Sequence, residues 1–125
     1  MATIVDIDGT LLTEENHPNR KVIDYVNSLK GEIIIVTGRH ITERKQTLLD
    51  LERIGVKFSR LIMNPGSTYD TAAFKYKTAM KLKAIVTLAI DNNPTMREEY
   101  SKAGIKTKDP AKLSSTNKFW QIFKR

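Results

Sequence analysis

Short apolar runs alternate along the chain with segments whose apolar residues recur at helical spacing. The first run, Thr3-Ile4-Val5, reads as a buried strand and is broken at Gly9. Thr13 to Asn19 is polar and turn-like. Pro18 is expected in the first turn of a helix that carries Val22, Ile23, Val26 and Leu29 inward and closes at Lys30-Gly31. Ile33-Ile34-Ile35-Val36 predicts a second strand, ending in Thr37-Gly38-Arg39. The next helix starts near Thr42, with Leu48, Leu51 and Ile54 expected inward and Gly55 as its stop. Leu61-Ile62-Met63 predicts a third strand, ending in Asn64-Pro65-Gly66. Ala72 to Leu82 predicts a third helix with Ala72, Tyr76 and Ala79 on its apolar stripe. Ile85 to Ile90 predicts a fourth strand, ending in Asp91-Asn92-Asn93-Pro94. Met96, Tyr100 and Ala103 mark a fourth helix, with Pro94 inside its start and Gly104 past its end. Ile105 to Thr107 predicts a short fifth strand, and residues 116–125 a terminal helix.

The strand runs are continuous rather than alternating, which fits strands covered on both faces and hence a parallel sheet. Strand-helix alternation of this kind predicts a three-layer α/β/α fold, doubly wound, around a mainly parallel five-stranded sheet. At 125 residues the chain is expected to form a single domain, with a core over about 3–107.

Composition narrows the setting. The chain has no cysteine, so disulfides and thiolate metal sites are excluded. Its start lacks the basic-then-apolar profile of a signal peptide, and no apolar run reaches the length of a membrane span. A soluble, cytoplasmic protein is expected. Lysine and arginine exceed the acids by seven. That balance suits a polyanionic partner such as nucleic acid, or equally a lysine-rich, well-solvated surface.

In doubly wound sheets ligands bind beyond the carboxyl ends of the strands, so the polar residues there are the candidates. The first strand supplies Asp6 and Asp8, which flank Ile7 and are expected to project to one side. Unit charges roughly 4 Å apart repel by about 4 kcal/mol at an effective dielectric near 20. Such a pair calls for a cation, and oxygen-only ligation suits Mg²⁺ first. The second strand supplies Thr37, Gly38 and Arg39, and the fourth Asp91 and Asn92. Lys75 or Lys77 of the third helix can reach the same edge. Arg39 is open to two readings, contact with a substrate phosphate or pairing with an acid. Asn92 is open to two as well, a helix cap or a group behind the ligands. His17 and His40 share no metal-ligand spacing and are expected at the surface, and Trp120 and Phe123 are expected to pack on the sheet.

Asp6-Ile7-Asp8-Gly9-Thr10, Ile34-Ile35-Val36-Thr37-Gly38-Arg39, a third-helix lysine and Ala89-Ile90-Asp91-Asn92-Asn93-Pro94 resemble, in this order, the four motifs of the haloacid dehalogenase-like superfamily. The resemblance implies a phosphatase in which Asp6 is the nucleophile and Asp8 the general acid and base. It implies Mg²⁺ held by Asp6, the main-chain carbonyl of Asp8 and Asp91. Thr37, Gly38, Arg39, Thr10 and the backbone near Asp8 and Gly9 would hold the phosphate. A lysine would neutralise transition-state charge; Phe74-Lys75, following Asp70-Thr71, makes Lys75 the preferred residue over Lys77. The superfamily often has a second acid where this chain has Asn92.

Many relatives insert a cap domain after the first motif or between the second and third. Leu11 to Pro18 and Arg39 to Phe74 leave no room for one, so an open site that admits large substrates is expected. Val36-Thr37-Gly38-Arg39, the opening of the third helix and Ala-Ile-Asp-Asn-Asn-Pro further resemble the 3′-phosphatase domain of phage polynucleotide kinases. The P-loop pattern of a kinase half is absent. The leading expectation is a phosphomonoesterase for nucleotides or polynucleotide ends. A small-metabolite phosphatase and a non-enzymatic phosphoacceptor or phosphate-binding module are the alternatives.

Overall fold

The computed structural model describes residues 1–113, apart from the side chain of Thr68. The terminal helix expected over 116–125, with Trp120 and Phe123, lies outside the described residues. Five strands form one sheet: β1 (Ala2–Val5), β2 (Glu32–His40), β3 (Arg60–Asn64), β4 (Val86–Ile90) and β5 (Lys106–Lys108). Every pairing is parallel, in the order β3-β2-β1-β4-β5. The crossovers carry α1 (Arg20–Ser28), α2 (Arg44–Ile54), α3 (Thr71–Leu82) and α4 (Pro94–Lys102). This is the doubly wound α/β/α fold, and no cap domain is present among the described residues.

Alternate strand residues feed two separate cores, as the period of a strand requires. Val5, Ile33, Ile35 and Ile90 face α1 and α2, where Val22, Ile23, Val26, Leu51 and Ile54 meet them. Ile4, Ile34, Val36 and Ala89 face α3 and α4, where Ala79, Leu82, Tyr100 and Ala103 meet them. Both faces are covered, which is why the strands read as unbroken apolar runs.

Three details depart from the pattern in the sequence. Strand β2 runs on through Thr37, Gly38 and Arg39, with an irregularity in its pairing to β3 between Thr37 and His40. Pro18 precedes α1 rather than opening it, bridging to Leu12 in the loop. Leu48 is exposed, because α2 turns Thr47, Asp50, Leu51 and Ile54 inward instead. The strand order reverses about β1, between its β2 and β4 sides, so the ends of β1, β2 and β4 open onto one crevice.

Candidate active site

Beyond Val5 the chain coils tightly. The amides of Thr10, Leu11 and Leu12 all donate to the Ile7 oxygen, at 3.1, 2.9 and 3.0 Å. Ile7, Leu11 and Leu12 are fully buried and anchor this coil to the core. Gly9 has φ +84°, and a Cβ there would lie 2.3 Å from the Asn92 amide. Only glycine allows that turn and that approach. Its N–H donates to the Leu12 oxygen at 2.7 Å, so the Gly9 amide, expected at the phosphate, is taken up within the turn.

Asp6 is buried at the mouth of β1. Its Oδ1 accepts from Lys75 Nζ at 2.9 Å and its Oδ2 from the Thr10 hydroxyl at 3.1 Å. The same ammonium donates to Asp91 Oδ2 at 2.6 Å. Lys75 is 3% exposed; Lys77, the alternative, points away and is exposed. Two carboxylates around one ammonium leave a buried excess of one negative charge. Burial pushes the Asp6 carboxyl up; Lys75 pulls it back and Asp91 adds to the rise, leaving it at about 6. Burial draws the Lys75 ammonium down, and the charges of Asp6 and Asp91 outweigh it, so its pKa stands above the ordinary value.

Asp8 has a different environment. Its side chain is 60% exposed and takes two parallel hydrogen bonds from Arg39, Nε at 3.0 Å and Nη2 at 2.9 Å. Of the two readings of Arg39, the structure displays the acid pair. The far edge of the guanidinium is tied to α2: Nη1 donates to Asp50 Oδ2 at 2.8 Å and to the Thr47 hydroxyl at 3.3 Å. Gln46 donates to Asp50 Oδ1 at 3.0 Å. The hydrogen bonds to Asp8 hold the Arg39 pKa above its ordinary value; burial opposes them and Asp50 adds to them. Asp50 was missed in the sequence. Its one signal is a polar residue at helical spacing with Thr47, Leu51 and Ile54, on what then becomes the inward face.

Thr37 is buried and its hydroxyl accepts from the Arg39 amide at 3.1 Å. A Cβ on Gly38 would come within 2.7 Å of the Thr71 side chain, so glycine lets the start of α3 close on β2. Thr10 is buried and faces Asp6 and Asn92. The cap of α4 is Asn93, whose side chain accepts from the amides of Thr95 and Met96 at 2.8 and 3.4 Å. Asn92 points inward instead. Asp6, Asp8, Thr37, Gly38, Arg39, Lys75, Asp91 and Asn92 thus line one open cavity of about 210 Å³.

Among the described residues no three His, Cys, Asp or Glu side chains converge as a metal site. Asp91, expected as a ligand, accepts from Lys75 at Oδ2 and from the Asn93 amide at Oδ1, at 2.6 and 2.9 Å. The end of the Asn92 amide, by contrast, lies 3.0 Å from both Asp6 Oδ2 and the main-chain oxygen of Asp8. With nitrogen at that end Asn92 donates to both. With oxygen there, a carboxylate, a carbonyl and an amide oxygen face one another. Neighbouring ligands of an octahedral ion bound at about 2.0–2.1 Å stand about 2.9 Å apart, so this donor set fits a small hard cation.

The family model for haloacid dehalogenase-like hydrolases matches residues 3–85. Among solved structures, one similar chain belongs to "Structure of the Pnkp1/Rnl/Hen1 RNA repair complex". It aligns with TM-score 0.67 at 18% identity, over 86% of this chain and 41% of that one. The likeness at that identity is one of fold, and this chain spans less than half the length of that relative. No curated protein matches the chain. Among the described residues no helix is long and apolar enough to cross a membrane.

Proposed function

Because the chain belongs to the haloacid dehalogenase-like hydrolases, we propose that it is a Mg²⁺-dependent phosphomonoesterase acting on nucleotides or polynucleotide ends. The observation that carries this reading is the placing of two adjacent acids around one cavity. Asp6 is fixed by Lys75 and Thr10 on the buried side, and Asp8 is held by Arg39 on the open side.

On this reading an Asp6 oxygen attacks phosphorus while the bond to the leaving oxygen breaks, giving an aspartyl-phosphate. Asp8, as general acid, gives a proton to the leaving oxygen. It then takes a proton from a water that attacks the same phosphorus, releasing inorganic phosphate and returning Asp6. Lys75 offsets the negative charge that Asp6 and the phosphoryl group share in between. Thr37, which lines the cavity, would on this reading hold a phosphoryl oxygen through its hydroxyl. A Mg²⁺ ion held by Asp6, the main-chain oxygen of Asp8 and Asn92 would offset the repulsion between carboxylate and phosphate dianion. Asp91 on this reading is tied back to Lys75 and steers it.

The polynucleotide preference rests on the open cavity without a cap, the net charge of +7 and the likeness in fold to a chain of an RNA repair complex. Phosphate release is to be compared, with Mg²⁺ and with EDTA, across a 3′-phosphorylated oligonucleotide, a 5′-phosphorylated one, mononucleotides and a sugar phosphate. Fastest release from the 3′-phosphorylated oligonucleotide, lost in EDTA, is the expected result. Preference for the sugar phosphate would assign a small-metabolite enzyme, and no release from any substrate would end the catalytic reading.

A further inference from the structure

A cavity larger than the catalytic one lies beside it. A groove of about 710 Å³ runs between the edge strand β3 and helix α3. Its floor is apolar: Ile62 and Phe74, both half-buried, and Leu82. Its rim carries Lys77 and Lys81, one helical turn apart on α3 and both exposed. Asp70 lines its mouth.

The groove begins where the catalytic cavity ends. Thr71 lines the cavity and Asp70 the groove; Lys75 enters the cavity and its neighbour Phe74 the groove. The first turns of α3 therefore form a shared wall. Beside the mouth stands Tyr69, 96% exposed, the most exposed large hydrophobic side chain of the described residues. The turn that carries it is stiffly built. Ser67 Oγ accepts from the Tyr69 amide at 3.1 Å, the Ser67 oxygen from the Asp70 amide and from Asn64 Nδ2, both at 3.0 Å. A preformed turn that holds a bare aromatic ring in water has no role in the core.

We propose that this groove receives the single-stranded nucleic acid that precedes the terminal phosphate. A base enters between β3 and Phe74, the next stacks on Tyr69, and the backbone phosphates follow Lys77 and Lys81. Stacking on aromatic faces tolerates any base, and lysines along a groove track a polyanion; together these are the chemistry of sequence-tolerant single-strand binding. Asp70 is the one acid there and suits a sugar hydroxyl or a base amino group rather than a phosphate. The inference rests on the phosphatase reading for the end that is bound, but not for the binding itself.

Two measurements keep the two apart. Anisotropy of a labelled, 3′-phosphorylated single strand on the inactive Asp6→Asn chain reads the groove without turnover. Tyr69→Ala in that background is expected to weaken binding about ten-fold. The Lys77→Glu/Lys81→Glu chain should weaken it further and flatten its salt dependence. Lys21→Glu, an exposed change on the opposite face of the sheet, should do far less. In the active chain Tyr69→Ala should raise KM for the oligonucleotide and leave kcat/KM for a small aryl phosphate unchanged. Equal binding by wild-type and Tyr69→Ala chains would overturn the proposal. So would weakening by Lys21→Glu as large as that by the groove lysines, which would reduce binding to net charge. Dimerisation lost on Tyr69→Ala would assign the face to a second copy and overturn it as well.

Discussion

Asp6 and Asp8 are separated by one residue, yet the two sides of the site treat them oppositely. On the buried side Asp6 and Asp91 share a single ammonium, Lys75, with almost no water. On the open side Asp8 and Asp50 share the Arg39 guanidinium, but Asp8 is 60% exposed and Asp50 has a second cation, Arg53, at 3.8 Å. The sequence reading asks for one cation to relieve two close carboxylates. The fold supplies two organic cations from two different elements, α3 and β2. Burial with a shortage of positive charge lifts the Asp6 carboxyl to about 6. Exposure leaves Asp8 accessible to water and leaving group. The two acids differ in access: Asp6 is reached only from the cavity, while Asp8 stands where water and a leaving group can meet it.

The sharpest break of that comparison is Asp6→Asn. Turnover should fall by at least about a thousand-fold, since the attacking oxygen is gone. Stability should move the other way. A carboxyl raised from 3.8 to about 6 on folding favours the folded state fully below pH 3.8. That contribution is lost as pH rises through about 6, where the fold must carry the charge. In EDTA at pH 7.5 the asparagine chain should therefore unfold at a higher urea concentration than wild type, and the gap should close toward pH 4. A lower midpoint at pH 7.5 would refute the claim that Asp6 is held against its own charge.

Lys75→Met attacks the same side from the cation. It leaves two buried carboxylates facing each other with no partner. Breaking a buried pair in this way costs about 3–5 kcal/mol. By the same sign the loss is greatest at high pH, where Asp6 is charged, and smallest near pH 4, where its carboxyl takes up a proton. Urea midpoints across that range check it, and Lys77→Met, on the exposed face, is the control that should change little.

Asp50→Asn tests the open side. Arg39 keeps its two bonds to Asp8 and its bond to Thr47 but loses the charged half of the anchor at its far edge. The expected effect is a fall of about ten-fold in kcat with KM for a small phosphomonoester nearly unchanged, and a loss of about 1 kcal/mol in stability. Asp50→Glu should recover part of the rate. An unchanged kcat would mean that Asp8 needs no brace.

What the chain discloses in sequence follows from what each signal measures. Continuous apolar runs mark strands covered on both faces, so the parallel class of the sheet was legible from Thr3-Ile4-Val5, Ile33 to Val36, Leu61 to Met63 and Ile85 to Ile90, while the order β3-β2-β1-β4-β5 was not. The same rule ended β2 too early, because Thr37, Gly38 and Arg39 are polar although they continue the strand. Apolar periodicity put Leu48 inside. It could not see that Asp50 turns inward to meet Arg39, a contact eleven residues away that only tertiary packing makes. The residues around the cavity were legible because strand ends gather in this topology. Their partners were not, because Asp91 and Asn92 are neighbours in sequence and the backbone turn decides which faces Lys75 and which faces Asp6. Of the two readings of Asn92 the cap is not the one seen, because it is the Asn93 side chain that reaches the free amides of α4.

The smallest effect expected lies behind the buried side of the site. Tyr100 is fully buried in the core under α3 and α4, and its hydroxyl has no hydrogen-bond partner among the described residues. Burial raises its pKa well above the ordinary value, and the charges of Asp91 and Asp6 raise it further, so the ring remains neutral at any working pH. An unpaired hydroxyl in such a place costs free energy without returning a bond. Removing it in Tyr100→Phe should leave stability equal or higher by up to about 1 kcal/mol in a urea titration. Activity should stay within about two-fold, because the ring, not the hydroxyl, fills the space behind Ile4 and Val36. A loss of more than about 2 kcal/mol would mean that the hydroxyl does have a partner, through a buried water that ties it to Asp91. The charge balance of the buried side would then extend one residue further, from the sheet edge into α4.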